Sequence, residues 1–173
     1  MFMIIQNKYR IDDLIGQGSF GVVFKGTKIK NNRPVAIKIN HHDFNTIKHE
    51  ATILNYLQSK KCHYIPLVHY YGFVQNKCVL VMPYYDYSLT EMVFSNRDPK
   101  SLFFQSLRAL ENIHEHDIIH RDIKPENIRV HNDEIVFIDF GLALFYQDEN
   151  GFMPNKSNST ITGSPTYISH FIH

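Results

Sequence analysis

The densest chemistry in this chain lies in eight consecutive residues, His120-Arg121-Asp122-Ile123-Lys124-Pro125-Glu126-Asn127. Asp122, Lys124 and Asn127 put a carboxylate, an ammonium and an amide within six positions. Further on, Asp139-Phe140-Gly141 adds a second carboxylate beside a glycine. Two carboxylates and an amide around one point can hold divalent cations on a triphosphate and leave one carboxylate free to accept a proton. That chemistry requires both clusters to meet. The intervening sequence provides for it. The apolar runs Ile128-Arg129-Val130 and Ile135-Val136-Phe137-Ile138 flank a turn-like His131-Asn132-Asp133-Glu134. This pattern predicts a small hairpin, which folds the two clusters back toward one site.

Upstream, Gly16-Gln17-Gly18-Ser19-Phe20-Gly21 lies between two β-type stretches, residues 9–15 and 22–28. Such a glycine pattern opens a dinucleotide-binding unit when a helix follows it directly. Here Val22-Val23-Phe24-Lys25-Gly26-Thr27 reads as a strand, so the glycines are placed at a hairpin tip. A tip with little side-chain bulk can lie over phosphates and offer backbone N–H groups. A third strand, Pro34-Val35-Ala36-Ile37-Lys38-Ile39, carries one charge inside an apolar run. Lys38 is either a solvent-facing lysine on an alternating strand or a phosphate ligand. A phosphate-holding lysine needs an anion to position it, and Glu50 is the candidate. Apolar residues at 47, 51, 54 and 57 have helical spacing, and Glu50 stands beside that stripe. The next strands are predicted at residues 65–71 and 77–82. Ser88-Leu89-Thr90-Glu91 is a capping box opening a short helix. Asp98-Pro99 starts a longer one, with an apolar face at Leu102, Phe103, Leu107, Leu110 and Ile113 continuing to about His116.

Taken jointly, these motifs resemble those of protein kinases: the glycine-rich loop, V-A-I-K, H-R-D-x-x-x-x-N and D-F-G. The resemblance covers nearly the whole chain. It implies an α+β, bilobal fold: an N-lobe over residues 1–83, an antiparallel sheet with one helix, and a mainly helical, truncated C-lobe over residues 84–173. It implies ATP and Mg²⁺ as cofactors and a protein substrate bearing Ser or Thr. Asp122 would be the base that orients the substrate hydroxyl, Lys124 would neutralise the transferring phosphoryl group, and Asn127 and Asp139 would hold Mg²⁺. Lys38, anchored by Glu50, would hold the α- and β-phosphates. Ile15, Gly16, Gly18, Gly21, Val23 and Ala36 would cover the nucleotide, Met82, Pro83 and Tyr85 would line its adenine side, and Arg129 would lie below the base. Lys124 two residues after Asp122, and Gly163-Ser164-Pro165-Thr166-Tyr167, are similar to serine/threonine kinases, with the Ser164 hydroxyl bonding Asp122 and Lys124. Within them, Val81-Met82 followed by Ser88-Leu89, Phe145-Tyr146-Gln147-Asp148, and Ser169 and His170 after Tyr167 resemble the casein kinase I group, which includes viral and vaccinia-related kinases.

Two departures stand out. Arg129 occupies a position where kinases usually place a leucine. The chain also ends at His173, where such kinases continue into further helices, so it is expected to be a fragment whose missing segment completes the C-lobe, a natural minimal kinase, or a protein completed by a partner, and the chain alone is expected to be a weak or inactive catalyst. Ser157, Ser159, Thr160 and Thr162 offer hydroxyls, and Arg121 could pair a phosphate on them, yet no activating phosphorylation is expected from the resemblance.

The bulk composition is compatible with one core. Of 173 residues, 43% are hydrophobic and 20% charged, ordinary for a globular domain. A formal net charge of +1 gives no reason to expect nucleic acid or an anionic membrane as partner. Two cysteines make no disulfide framework, which points to a reducing compartment, intracellular and either cytoplasmic or nuclear. Cys62 and His63, with His69, lack a second close pair to complete a tetrahedral zinc site, so an ordinary thiol and histidines are expected. Met1-Phe2-Met3-Ile4-Ile5 is too short for a signal-peptide core.

Overall fold

A computed structural model describes residues 3–18, 21–40, 44–92, 98–148, 151–152 and 162–167. The chain divides into two compact units, Met1–Asn55 with Pro66–Tyr85, and Tyr56–Ile65 with Asp86–His173.

The first unit is built on a six-stranded antiparallel sheet. Its strands are β1 (Ile4–Ile5), β2 (Tyr9–Gly18), β3 (Gly21–Lys28), β4 (Arg33–Asn40), β5 (Tyr70–Val74) and β6 (Lys77–Pro83), in the order β1-β2-β3-β4-β6-β5. Alternation decides its faces. Val35, Ile37 and Ile39 of β4 join Ile5, Tyr9, Val79 and Val81 in one buried cluster. Ala36 and Lys38 therefore point to the opposite face. Between β4 and β5 runs helix α1 (Phe44–Ser59), longer at both ends than its apolar spacing predicts. Ile47, Ala51, Leu54 and Leu57 are buried as that spacing requires, and Glu50 is buried with them.

The strand predicted at residues 65–71 is a correction. Pairing with β6 runs only from Tyr70↔Val81 to Val74↔Lys77, preceded by one bond from the His69 N–H to the Val81 carbonyl at 2.8 Å. Pro66 has no N–H to give a ladder, and Leu67 is exposed, so the apolar run there does not pair.

The second unit holds β7 (Tyr87–Ser88), α2 (Leu89–Met92), α3 (Pro99–His114), β8 (Ile118–Ile119), β9 (Ile128–His131), β10 (Glu134–Phe137) and β11 (Leu144–Phe145). Both helix starts follow the sequence signals. Ser88 and Glu91 form a reciprocal cap: the Glu91 carboxylate accepts from the Ser88 N–H at 2.6 Å, and the Ser88 hydroxyl accepts from the Glu91 N–H at 3.4 Å. The Asp98 side chain accepts from the Lys100 N–H at 3.1 Å, with Pro99 in the first turn. α3 buries Leu102, Ala109 and Ile113, while Phe103, Phe104 and Leu107 stay exposed. It ends at His114, two residues before the predicted stop.

The hairpin β9–β10 forms as predicted. Glu134 pairs with His131, and Asn132 and Asp133 both take positive φ, as a tight two-residue turn requires. Gln105 of α3 anchors it, donating to the Asp133 carbonyl at 3.1 Å and accepting from the Ile135 N–H at 3.2 Å. β7 adds to the other edge of β9, and β11 pairs with β8. Cys62 is buried here, its thiol 3.4 Å from the Asn112 side-chain oxygen, which also accepts the His63 N–H. Burial, and then the charge of Glu115, push that thiol up to about 11, so it is an inert core group. Among the described residues, no helix is long and apolar enough to cross a membrane.

Candidate active site

In the first unit the glycines sit on a hairpin. β2 pairs with β3 up to Gly18↔Gly21, and a strand follows, so a dinucleotide-type helix is ruled out here. Ser19 and Phe20 lie outside the described residues. Gly21 is required on two counts: its φ is +113°, and a Cβ would collide with the carbonyl of Ile39 on β4. Gly18 has open space around it, and Gly16 faces only Val23. Ile15 is exposed, and Val23 and Ala36 are half-buried.

Lys38 stands opposite Val23 on one side and Leu80 on the other. Its ammonium donates to Glu50 Oε2 at 2.7 Å, and the two side chains are 7% and 1% exposed. Lys38 is thus not a solvent-facing lysine. At that depth an ion pair survives only with its partner in place. Along β6, Met82 pairs with Ala36 and Pro83 with Val35, and the Tyr84 N–H reaches the Pro34 carbonyl at 3.4 Å. Burial pushes the Tyr85 phenol up to about 12, so it stays neutral.

In the second unit the polar run is gathered around Asp122. Oδ1 accepts from the Ser164 hydroxyl at 2.7 Å and the Ser164 N–H at 3.0 Å. Oδ2 lies 2.9 Å from the Lys124 ammonium and accepts from Asn127 Nδ2 at 2.9 Å. Lys124 also donates to the Ser164 hydroxyl at 2.8 Å. Burial alone would raise the Asp122 carboxyl. The hydrogen bonds and charge of Lys124, with the bonds from Ser164 and Asn127, outweigh it and hold the carboxyl below its ordinary range.

Asn127 closes the short 3₁₀ turn Pro125–Asn127 and is buried. Its amide N–H₂ is committed to Asp122, to the main-chain carbonyl as well as to Oδ2, which makes Oδ1 its acceptor end. Its main-chain carbonyl accepts from the Ile138 N–H at 2.9 Å, one residue before Asp139. Asp139 itself has left-handed backbone, φ 64° and ψ 69°. An amide oxygen and a carboxylate are hard donors. Among the described residues no group of three or more His, Cys, Asp or Glu forms a cage. Mg²⁺ characteristically takes one or two protein oxygens and fills the rest with phosphate and water. The donor set fits that pattern.

Residue type and spacing assign no work to His120, whose bonds run to main chain. The imidazole is 1% exposed. Nδ1 accepts from the Asp122 N–H at 3.3 Å, and Nε2 is 3.0 Å from the Ile138 carbonyl, a pattern that assigns the proton to Nε2. The ring packs on Phe140 at 4.7 Å and Phe137 at 5.8 Å. Burial lowers its pKa, so it is neutral, and it ties the Asp122 loop to the Asp139 loop. Arg121, with φ 64°, donates through Nε to the Leu142 carbonyl at 2.6 Å. Ser157, Ser159 and Thr160 lie outside the described residues.

Arg129 pairs with Ser88 on β7 and Val136 on β10. Its guanidinium is 3.9 Å from Glu91 Oε2, the oxygen that also accepts from the Ser88 hydroxyl at 2.7 Å. The residues after Tyr167, including Ser169 and His170, lie outside the described residues.

Residues 9–170 match the family model described as the protein kinase domain. The chain belongs to that family. This kinase domain is similar throughout to casein kinase I proteins of yeasts. It is 31% identical to the casein kinase I homolog RAG8 of Kluyveromyces lactis, over 98% of this chain and 34% of that protein. It is 30% identical to casein kinase I homolog 1 of Schizosaccharomyces pombe, over 95% of this chain and 40% of the relative. Casein kinase I homolog 1 of Saccharomyces cerevisiae is also 30% identical, over 98% and 34%. The kinase domain therefore spans roughly a third to two-fifths of the length of the curated relatives it matches. It is casein-kinase-I-like.

Proposed function

We propose that the chain transfers the γ-phosphate of ATP to a serine or threonine hydroxyl of a protein. The reading rests on the cluster in which Asp122 is held ionised by Lys124, Asn127 and Ser164. In this reading Lys38, fixed by Glu50, holds the nucleotide's phosphates, under the glycine hairpin with Ile15, Val23 and Ala36. Met82, Pro83, Tyr85 and Arg129 line the base. Asn127 Oδ1 and the Asp139 carboxylate hold Mg²⁺, which when bound neutralises phosphate charge. Asp122 orients the acceptor hydroxyl and takes its proton. Lys124 offsets charge on the transferring group. Ser164 fixes the rotamers of both.

The test is phosphotransfer to casein with Mg–ATP. Asp122→Asn is expected to lower turnover by roughly 10²–10⁴-fold, the usual range for a base that positions and accepts a proton, with nucleotide affinity nearly unchanged. A variant keeping most of its turnover would refute the role. A second reading, a nucleotide-binding scaffold without transfer, is favoured by the exposed Phe103, Phe104 and Leu107 on α3, which leave that helix open on one flank. Nucleotide binding with no transfer in the unaltered chain would select it.

A further inference from the structure

We propose that Arg129 admits guanine nucleotides to the site beside adenine nucleotides, a selectivity that rests on the reading above in which Arg129 lines the base. Arg129 lies on the middle strand of the sheet β10-β9-β7. Its neighbours Ile128 and Val130 are buried, so alternation turns Arg129 to the other face. Its side chain is 29% exposed there. A guanidinium carries five N–H donors in a planar fork. Among the described residues Arg129 makes no hydrogen bond with them. Its approach to Glu91 Oε2, at 3.9 Å, is too long for one, and that oxygen already accepts the Ser88 N–H and hydroxyl. The Ser88 bonds, and then the Arg129 charge, hold the Glu91 carboxyl below its ordinary range, so it stays ionised. Glu91 therefore offsets the charge of Arg129 without consuming its donors.

An apolar floor reads only the shape of a base. A fork of unused donors also asks for acceptors, because a donor covered without a partner costs free energy. Guanine supplies two that are adjacent, O6 and N7, and they take a guanidinium bidentately. Adenine has N7 but sets an amino donor beside it, so it suits only half of the fork. Arg129 thus replaces a floor indifferent to these groups by one that favours guanine. Where the phosphotransfer reading holds, GTP is then a second phosphoryl donor. The acceptor hydroxyl oxygen bonds to the γ-phosphorus, the bond from that phosphorus to the β–γ bridging oxygen breaks, and GDP leaves with the electron pair. The hydroxyl proton passes to Asp122 and on to water.

The experiment titrates the full chain with Mg–GTP and with Mg–ATP by calorimetry, and measures casein phosphorylation with each nucleotide labelled at its γ-phosphate. Mg–GTP is expected to bind at concentrations comparable with Mg–ATP and to label casein. Arg129→Leu is expected to move the ratio of GTP to ATP affinity toward ATP by about 5–150-fold, the worth of one bidentate base contact. Arg129→Lys keeps the charge but loses the fork, and should move the ratio the same way. Each variant is compared with itself on two nucleotides, so a loss of folded protein cancels in the ratio. A GTP affinity far below that for ATP in the unaltered chain would overturn the proposal and leave transfer from ATP standing. So would a ratio unmoved in Arg129→Leu. Binding of both nucleotides with transfer from neither would leave the base assignment standing and overturn the transfer reading. A chain that binds neither would overturn both.

Discussion

The Lys38–Glu50 pair and the Asp122 cluster hold charge out of water by opposite means. Lys38 and Glu50 are both buried and meet across 2.7 Å. Asp122 is equally deep but shares its charge among an ammonium, an amide, a backbone N–H and a hydroxyl, and Lys124 is 24% exposed. A buried pair is strong only while complete, because removing one member leaves the other charged and dry. A distributed cluster with one partly solvated member can lose a charge and rehydrate. The first arrangement depends on α1 being in place, and the second keeps Asp122 ionised while its charge is shared among several partners.

The sharpest way to break this comparison is Glu50→Gln, which keeps shape and removes charge. It is expected to cost about 3–5 kcal/mol of stability, the range for truncating one partner of a buried pair. Asp122→Asn should cost about 1–3 kcal/mol, the scale of hydrogen bonds to a charged group. Urea unfolding of both variants checks the order. Equal costs would show that the Asp122 cluster is as unforgiving as the pair.

A second test uses pH. The folded pKa of His120 is lowered by burial, so the unfolded chain binds its proton first. Stability from the neutral ring is full above the ordinary histidine pKa of about 6.5. It is lost as pH falls below that value toward the folded one, at up to about 1.4 kcal/mol per pH unit. For Asp122 the depressed pKa works at lower pH: its contribution is full above the ordinary carboxylate value and is lost only as pH falls through the folded one. Unfolding free energy between pH 7 and pH 5 should therefore fall less steeply in His120→Asn than in the unaltered chain. Parallel slopes would show that the ring titrates alike in both states.

The smallest expected effect is at Arg129. Its contact with Glu91 is long, and Glu91 is 57% exposed, so Arg129→Leu should change stability by about 0–1 kcal/mol. In the proposed role below the base it should still alter ATP affinity, with tighter binding the expected direction. Equal affinities in calorimetric titrations would place the side chain elsewhere.

Much of this was legible in the residues. The glycine hairpin, the lysine strand, the Glu50 helix, the Ser88–Glu91 cap and the β9–β10 turn all follow from local rules, because each is decided by spacing or turn chemistry within a few positions. The strand predicted at residues 65–71 failed because its apolar pattern is genuine but Pro66 cannot join a ladder, while Gly72 disguised the true strand. The roles of His120 and Gln105 were illegible for another reason. Both bond to backbone atoms of loops distant in sequence, and a main-chain carbonyl leaves no letter in the sequence. Arg129 could be flagged as unusual, but its partner Glu91 emerged only when β7 paired with β9.

Arg121 and Asp139 share a left-handed φ, 64° in each, which arginine disfavours and aspartate enters more readily. A non-glycine residue there costs about 1–2 kcal/mol. An engineer seeking a more robust protein would reach first for glycine or asparagine at these two positions. The same edits would delete the guanidinium that holds the Leu142 carbonyl and the carboxylate proposed to hold Mg²⁺. If the proposed metal-holding role of Asp139 holds, robustness and chemistry pull against each other at this torsion, and stabilising screens that ignore activity are expected to enrich changes at 139 that return sturdier proteins without phosphotransfer.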